Sequence, residues 1–193
     1  MNLYLDSTEY INWKTTRILS QAKQLAAGLT DSEEIAKKCF EYVRDEIKHS
    51  VDYQLNPVTC KASDVLKYKT GFCFAKSHLL AALLRANSIP AGLCYQRLIT
   101  SDNPTYCLHG LNAIYLEHYG WYRVDARGNK KGVTAEFCPP HEKLSFSSLA
   151  CGETDLLEIF PEPLSVVVDS LTHNLTYEEV ADNLPDIELV AAN

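Results

Sequence analysis

Residues 71–87, GFCFAKSHLLAALLRAN, place Cys73 where a glycine-containing break gives way to an alanine- and leucine-rich segment. The leucines at 79, 80, 83 and 84 recur at helical spacing, which predicts a helix from about Cys73 to Ala86 with those leucines facing the core. The thiol then lies in the first helical turn, where roughly half a positive charge and unpaired backbone N–H groups favour a thiolate. Cys73 is therefore the candidate nucleophile.

Two residues on strand-like segments complete a set of groups suited to acyl transfer. His109 lies in the predicted strand 107–116 and Asp125 in the predicted strand 121–126, and residues 117–120 join the two. Pairing of these strands as a hairpin would bring His109 and Asp125 opposite or diagonal to each other. A cysteine nucleophile, a histidine base and an orienting carboxylate form the minimal set for acyl transfer through a thioester.

These motifs, in this order, resemble the transglutaminase-like superfamily of papain-type cysteine enzymes, which includes bacterial cysteine proteases. The resemblance is carried by Gly71-Phe72-Cys73, by LRANSIPAG at 84–92, and by His109 followed by WYRVD at 121–125. The clear match covers about residues 65–130.

The resemblance implies a fold, a triad and one departure from the family pattern. It implies an α+β fold of the papain-like transglutaminase type, with a helical N-terminal part and a catalytic helix packed on an antiparallel sheet. It also implies that Cys73, His109 and Asp125 are the catalytic residues. Members often have proline and threonine after the aspartate, whereas Ala126 and Arg127 follow here.

The composition favours a globular protein without a nucleic-acid or membrane partner. We expect one domain over residues 1–193, with the motif core at about 65–130. The net charge of −7 and the lack of a basic run argue against nucleic-acid binding. No run of 18 apolar residues occurs and the N-terminus lacks a signal-peptide layout, so we expect a cytoplasmic protein. The expected partner is a peptide or protein amide substrate, and the oligomeric state stays open.

The seven cysteines, odd in number and irregular in spacing, are expected as free thiols in a reducing compartment. Cys138-Pro139-Pro140-His141 lacks a second Cys/His pair at ligand spacing, and neither a phosphate loop nor a dinucleotide fingerprint occurs. We therefore expect no metal and no cofactor. Apart from Cys73, the cysteines are predicted to be small buried hydrophobes: Cys39, Cys60, Cys94, Cys107, Cys138 and Cys151.

Periodicity and end signals predict the rest of the chain. His78 is expected to be structural. The other predicted elements are a short strand or arm at 1–11, a helix at 15–28, a second helix from Asp31 or Ser32 to about 47, irregular chain at 48–64 with a turn or short helix at 64–66, a strand at 91–100, a turn at 101–104, a loop at 128–132, a β-branched strand at 164–168 and a helix at 176–184.

The function indicated is attack of the Cys73 thiolate on an amide or peptide carbonyl. Hydrolysis, as in a peptidase or amidase, is favoured over protein-glutamine transamidation, and a non-catalytic peptide-binding protein is the alternative. The Cys73 N–H is expected to donate one hydrogen bond to the oxyanion. The second donor stays open among His49, Tyr53 and Gln54.

Overall fold

The computed structural model describes residues 1–100 and 105–187, so the turn predicted at 101–104 lies outside the described residues. In chain order the elements are a 3-10 helix (Asn2–Tyr4), α1 (Thr16–Leu25), α2 (Ser32–Glu46), β1 (Lys48–His49), α3 (Ser50–Tyr53), α4 (Ala62–Tyr68), β2 (Thr70–Gly71), α5 (Cys73–Ala86), β3 (Ala91–Ile99), β4 (Tyr106–Leu116), β5 (Gly120–Val124), β6 (Glu136–Cys138), β7 (His141–Lys143), β8 (Thr154–Asp155), α6 (Ser165–His173) and α7 (Tyr177–Asp182).

Helix α5 is the centre of the fold, and its bounds are those predicted from the sequence. Every residue from Cys73 to Arg85 is buried, because α1, α2 and α4 cover one side and β3 and β4 cover the other. The leucines do face the core as predicted, but the whole circumference is buried rather than one stripe. Small residues at 75, 81 and 82 let the neighbouring elements approach closely.

The sheet packed on α5 is antiparallel, with strand order β5-β4-β3-β8. Strand β3 pairs with β4 from Ala91↔Ile114 to Ile99↔Tyr106, and β4 pairs with β5 from Asn112↔Val124 to Leu116↔Gly120. Helices packed on one antiparallel sheet make this an α+β fold, which confirms the predicted class. A short parallel pair, β1 with β2, lies just before α5 and sets His49 opposite Gly71.

Buried polar side chains attach α5 to the rest of the chain. Arg85, which is 2% exposed, donates to the carbonyls of Ala91, Asp6 and Pro161 at 2.7–3.0 Å. Asn112 on β4 donates to the Ser77 carbonyl at 3.0 Å. These bonds connect α5 to segments that lie before and after it in the sequence.

The end signals read from the sequence are confirmed at two helices. Asp31 caps α2 by accepting a hydrogen bond from the Glu33 N–H at 3.0 Å. Thr176 caps α7 in a capping box with Glu179. These interactions are local, so the sequence alone predicts them.

The strand predicted at 164–168 is wrong. Residues 164–168 begin helix α6 rather than a strand, because Val167 and Leu171, four residues apart, both pack into the core and override the β preference of the valines. Residues 1–11, predicted as a short strand or an arm, form no strand and contain the 3-10 helix Asn2–Tyr4. The stretch 48–64, predicted as irregular apart from its end, contains β1 and α3.

All seven cysteines are free, as predicted, but they are not all buried. Cys151 is exposed, which makes that prediction wrong, and Cys107 and Cys138 are half-buried. Burial raises the pKa of Cys39, Cys60 and Cys94 to about 12. These three thiols are therefore poor nucleophiles at neutral pH.

Lys76, on α5, connects the helix by hydrogen bonds to two other segments of the chain. Lys76 has no solvent exposure, and its Nζ donates to the carbonyls of Ile47 at 2.6 Å, Arg127 at 2.7 Å and Arg44 at 3.3 Å. A buried carbonyl that loses its donor costs about 1–3 kcal/mol. Lys76 therefore stabilises the segments that carry β1 and the end of β5.

We predict that Lys76→Met lowers the free energy of unfolding by about 3 kcal/mol, because it leaves buried carbonyls without donors. Urea unfolding followed by circular dichroism measures the change. Lys131→Met, at an exposed position, is the control and should change stability by less than about 0.5 kcal/mol. Equal effects of the two substitutions would contradict this role of Lys76.

Candidate active site

Cys73 is the first residue of α5, where the sequence places it. Phe72 is the N-cap residue, and its side chain makes no capping hydrogen bond. Since apolar Phe72 cannot cap the helix, the first-turn N–H groups and the positive end of the helix dipole stay directed toward the thiol. Cys73 is 8% exposed, so it is accessible only from the cleft in front of it.

His109 and Asp125 form a buried pair beside this helix start. His109 lies on β4 and is 5% exposed, and Asp125 follows β5 directly and is fully buried. The Nε2 atom of His109 lies 2.7 Å from Oδ2 of Asp125. The Asp125 carboxylate also accepts the N–H of Arg127 at 3.0 Å and the N–H of Ser145 at 3.1 Å. These bonds fix the carboxylate and, through it, the imidazole ring.

The imidazole shares a cleft with the thiol. Cys73 and His109 both line this cleft, and because Nε2 is taken by Asp125, the remaining nitrogen, Nδ1, is the one available to the sulfur. The three predicted residues thus meet at one site. The order thiol, imidazole, carboxylate is the one that nucleophilic acyl transfer requires.

Gly110 allows this meeting, and reasoning from the sequence missed it. A Cβ at Gly110 would lie 2.8 Å from the Phe74 ring and 3.0 Å from the Phe74 Cα, so only glycine lets β4 approach the start of α5 this closely. The Gly110 N–H points at the Cys73 Sγ at 3.5 Å. A glycine inside a predicted strand signals such an approach, and that signal was present in the sequence.

The charges of His109 and Asp125 support each other. Burial works against the charged imidazole, but the negative charge of Asp125 and its hydrogen bond to the ring raise the pKa of His109 well above its ordinary 6.5. Burial would raise the pKa of Asp125, yet the charge and hydrogen bond of His109 lower it below its ordinary 3.8. At neutral pH the pair is therefore an imidazolium and a carboxylate.

Phe146, also missed from the sequence, covers the pair. Its ring meets the His109 ring edge-on at 4.9 Å between centroids, and the Arg127 guanidinium lies 5.8 Å from its centroid. An aromatic cover excludes water from the hydrogen bond between His109 and Asp125 and so strengthens it. No pattern in residues 144–147 predicts this contact.

Cys73 and His109 open into a cleft of about 800 Å³. Of the three residues considered for an oxyanion donor, His49 alone lines this cleft as the structure describes it. Tyr53 is exposed and faces a neighbouring cavity. The cleft is lined by apolar residues and by charged or polar ones: Val51, Phe72, Leu98, Ile99, Leu108, Phe146, Ala181 and Leu184, then His49, Asp52, Thr100, Arg127, Lys130, Ser145, Ser147 and Glu153.

His78, predicted to be structural, lies away from this cleft. It is buried inside α5, and its Nδ1 lies 2.8 Å from the Cys60 carbonyl oxygen. Burial lowers the pKa of His78 to about 4, so it is neutral at physiological pH.

The sequence profile of the transglutaminase-like superfamily matches residues 20–126, more than half of the chain and a range that includes all three residues of the site. The chain belongs to the transglutaminase-like superfamily. No curated protein matches the chain in sequence. The superfamily assignment confirms the resemblance seen in the motifs and, with the observed helices and sheet, the papain-like transglutaminase fold.

One solved structure shows the same fold at low sequence identity, and a second is similar to part of the chain. A proposed cysteine protease from Cytophaga hutchinsonii superposes with a TM-score of 0.51 at 20% identity, over 64% of this chain and 40% of that one. The periplasmic domain of TgpA from Pseudomonas aeruginosa gives a TM-score of 0.49 at 21% identity, over 64% of this chain and 45% of that one. This chain therefore corresponds to less than half the length of either.

Within residues 1–100 and 105–187, none of the helices has the length and apolar character needed to cross a membrane.

We predict that Gly110→Ala reduces the alkylation rate of Cys73 at pH 6 by at least about tenfold and destabilises the fold by about 1–3 kcal/mol, because β4 must move away from Phe74. Iodoacetamide labelling with mass spectrometry and urea unfolding measure the two effects.

Gly132→Ala is the matched control for this substitution. Its Cβ would meet nothing within 4 Å, although its φ of +80° strains any other residue. It should cost about 1 kcal/mol of stability and leave Cys73 reactivity unchanged. If Gly110→Ala kept full Cys73 reactivity, the close approach would not matter for the site.

Proposed function

We propose that this protein catalyses cysteine-dependent acyl transfer on an amide or peptide carbonyl, through a thioester and with hydrolysis as the favoured outcome. The observation that carries the proposal is the buried His109–Asp125 pair beside Cys73 in a cleft large enough for a peptide. The chemistry uses the chain's own side chains. Membership of a superfamily that contains cysteine enzymes supports the same general kind of activity.

The proposed reaction begins when the Cys73 thiolate attacks the carbonyl carbon and the carbonyl π electrons move to oxygen. The tetrahedral intermediate collapses as the carbon–nitrogen bond breaks, and the His109 imidazolium gives its proton to the leaving amine. A thioester on Cys73 remains. Neutral His109 then takes a proton from water, the hydroxyl oxygen attacks the thioester, and the Cys73 thiolate leaves.

Asp125 is proposed to keep His109 in the orientation and charge state that these steps need. Because Asp125 holds Nε2, the proton exchanged with the substrate is the one on Nδ1. Phe146 keeps water from competing for the carboxylate. The Cys73 N–H at the helix start is proposed as one oxyanion donor.

His49 is the candidate for the second oxyanion donor. The β1–β2 pairing holds it opposite Gly71, two residues before Cys73, and its ring lies 5.7 Å from that of Phe72. Burial and the charge of Arg127 lower the pKa of His49 well below its ordinary 6.5 despite the nearby Asp52, so the ring is neutral and has one N–H to donate.

Water is the favoured acceptor of the acyl group, and the polar residues Ser145 and Ser147 line the cleft in which it would act. An amine entering the same cleft would make the product a transamidated protein, which is the alternative reaction. A non-catalytic peptide-binding role is the third candidate. The buried His109–Asp125 pair argues against it, since peptide capture does not require an imidazolium held against a carboxylate.

We also propose that residues 1–193 act as one domain in the cytoplasm. The main core cluster extends without a break from Ile11 to Val180, which supports a single folding unit. The seven free thiols, Cys151 among them, suit a reducing compartment.

We predict that Cys73 is alkylated by iodoacetamide at pH 6 at least about tenfold faster than exposed Cys151, because the raised pKa of His109 keeps an imidazolium beside the sulfur at that pH. His109→Ala should abolish this advantage, and Cys73→Ala should abolish turnover without unfolding the chain. Mass spectrometry of each cysteine across pH 5 to 9 gives the profile. Equal rates for Cys73 and Cys151 at pH 6 would contradict the proposed thiolate–imidazolium pair.

We predict that His49→Ala slows acylation of Cys73 by p-nitrophenyl acetate by about 10²–10³-fold, whereas His49→Gln, which keeps an N–H donor, retains a larger share of the rate. Stopped-flow release of p-nitrophenol measures the acylation step. Iodoacetamide alkylation is the control, because it forms no oxyanion and should not change. An equal loss in both reactions would show that His49 acts on the thiol rather than on the oxyanion.

A further inference from the structure

One carboxylate at the edge of the cleft is shared by two cations. Asp52 binds Arg127 through both carboxylate oxygens, at 2.6 and 3.1 Å, and binds the Lys130 Nζ at 2.6 Å. Hydrogen bonds from both cations outweigh burial and lower the pKa of Asp52 below its ordinary value, so it stays charged. The group of three therefore carries one surplus positive charge.

A second cavity, of about 410 Å³, lies against the same three residues and extends the positive region. Arg44 and Lys48 line it in addition to Arg127 and Lys130, and Asp45 is the one further carboxylate among its lining residues. This positive field lies on a chain whose net charge is −7. A local excess of the opposite sign in a concave site attracts an anionic group more strongly than the net charge suggests.

The other end of the cleft is mainly apolar. Leu98, Leu108, Ala181 and Leu184 line the cleft but not the basic cavity. Glu153 also lies at this end, and its carboxylate is occupied by the N–H groups of Ile99, Leu149 and Ala150 at 2.9–3.1 Å. Cys73 and His109 line only the cleft, so a bound chain passes from an apolar surface to a basic one.

We propose that the substrate is an acidic amide, with a carboxylate near the scissile bond facing Lys130 and Arg127 and an apolar group at the opposite end of the cleft. The inference rests on the proposed acyl-transfer function and adds the substrate class. Lys130 is the main contact, because its side chain is 45% exposed and its ammonium keeps donors beyond the one on Asp52. Arg127 is held more firmly, with its side chain 10% exposed, and orients the group.

The test compares two alkylating probes of the same shape, iodoacetyl-glutamate, which carries two negative charges, and iodoacetyl-glutamine amide, which is neutral. In both, the Cys73 sulfur–carbon bond forms as the carbon–iodine bond breaks and iodide leaves. The measured quantity is the ratio of the two rate constants at Cys73, divided by the same ratio at exposed Cys151. Variants are Lys130→Glu and Lys130→Met, and Lys131→Glu and Lys131→Met are their matched controls at the next, exposed position.

We expect the wild-type ratio to favour the anionic probe by about tenfold in low salt and to fall toward one at high salt, where charges are screened. Lys130→Met should remove a large part of the preference and Lys130→Glu should reverse it. The two Lys131 variants should keep it. His109 is present in every variant, so its charge affects the rate ratios of the Lys130 and Lys131 variants equally.

The two proposals fail in different ways. If Cys73 reacts quickly with both probes but Lys130 and Lys131 variants give the same ratio, the acidic-substrate inference is overturned and the proposed triad stands. If Cys73 reacts no faster than Cys151 with either probe, the proposed function falls, and the substrate inference falls with it. Circular dichroism of each variant excludes unfolding as the cause.

Discussion

The contact on which the site depends is the approach of β4 to the first turn of α5. Gly110 lies against Phe74 with no room for a Cβ, and this brings its N–H to the Cys73 sulfur and its neighbour His109 to the thiol. The same helix start directs its positive end toward the sulfur. One backbone approach therefore places the thiol and the imidazole together at that helix end.

A fully buried central helix must include or contact hydrogen-bond donors, because backbone carbonyls of the neighbouring segments are buried against it. Lys76, Arg85 and Asn112 fill this need by donating to carbonyls of distant segments. Since Lys76 holds both the Ile47 carbonyl and the Arg127 carbonyl, it fixes these two segments relative to Cys73. The proposed chemistry depends on such positioning, because small displacements of reacting groups slow a reaction.

Local signals explain what the sequence could predict. The bounds of α5 follow from a leucine period and a following proline, and the strands around His109 and Asp125 follow from residue alternation and a short connection. The strand predicted at 164–168 is wrong because a run of valines favours a strand, whereas the contacts that decide the structure are with core residues far away in the chain. Phe146 and Asp52 are missed for the same reason, since their roles depend on neighbours that no spacing reveals.

Arg127 contacts both Asp125, through its backbone, and Asp52 at the edge of the cleft, through its side chain. It occupies the position where the family often has threonine after a proline. Its backbone N–H donates to the Asp125 carboxylate and its carbonyl accepts from Lys76. Any residue other than proline could make both bonds. Its side chain, by contrast, reaches Asp52 and the face of Phe146, contacts that a threonine is too short to make. The backbone at this position can therefore preserve the proposed triad while the side chain changes the charge beside it. Under the proposed function, a substitution of this kind would alter which substrate is favoured and leave the activation of the thiol unchanged.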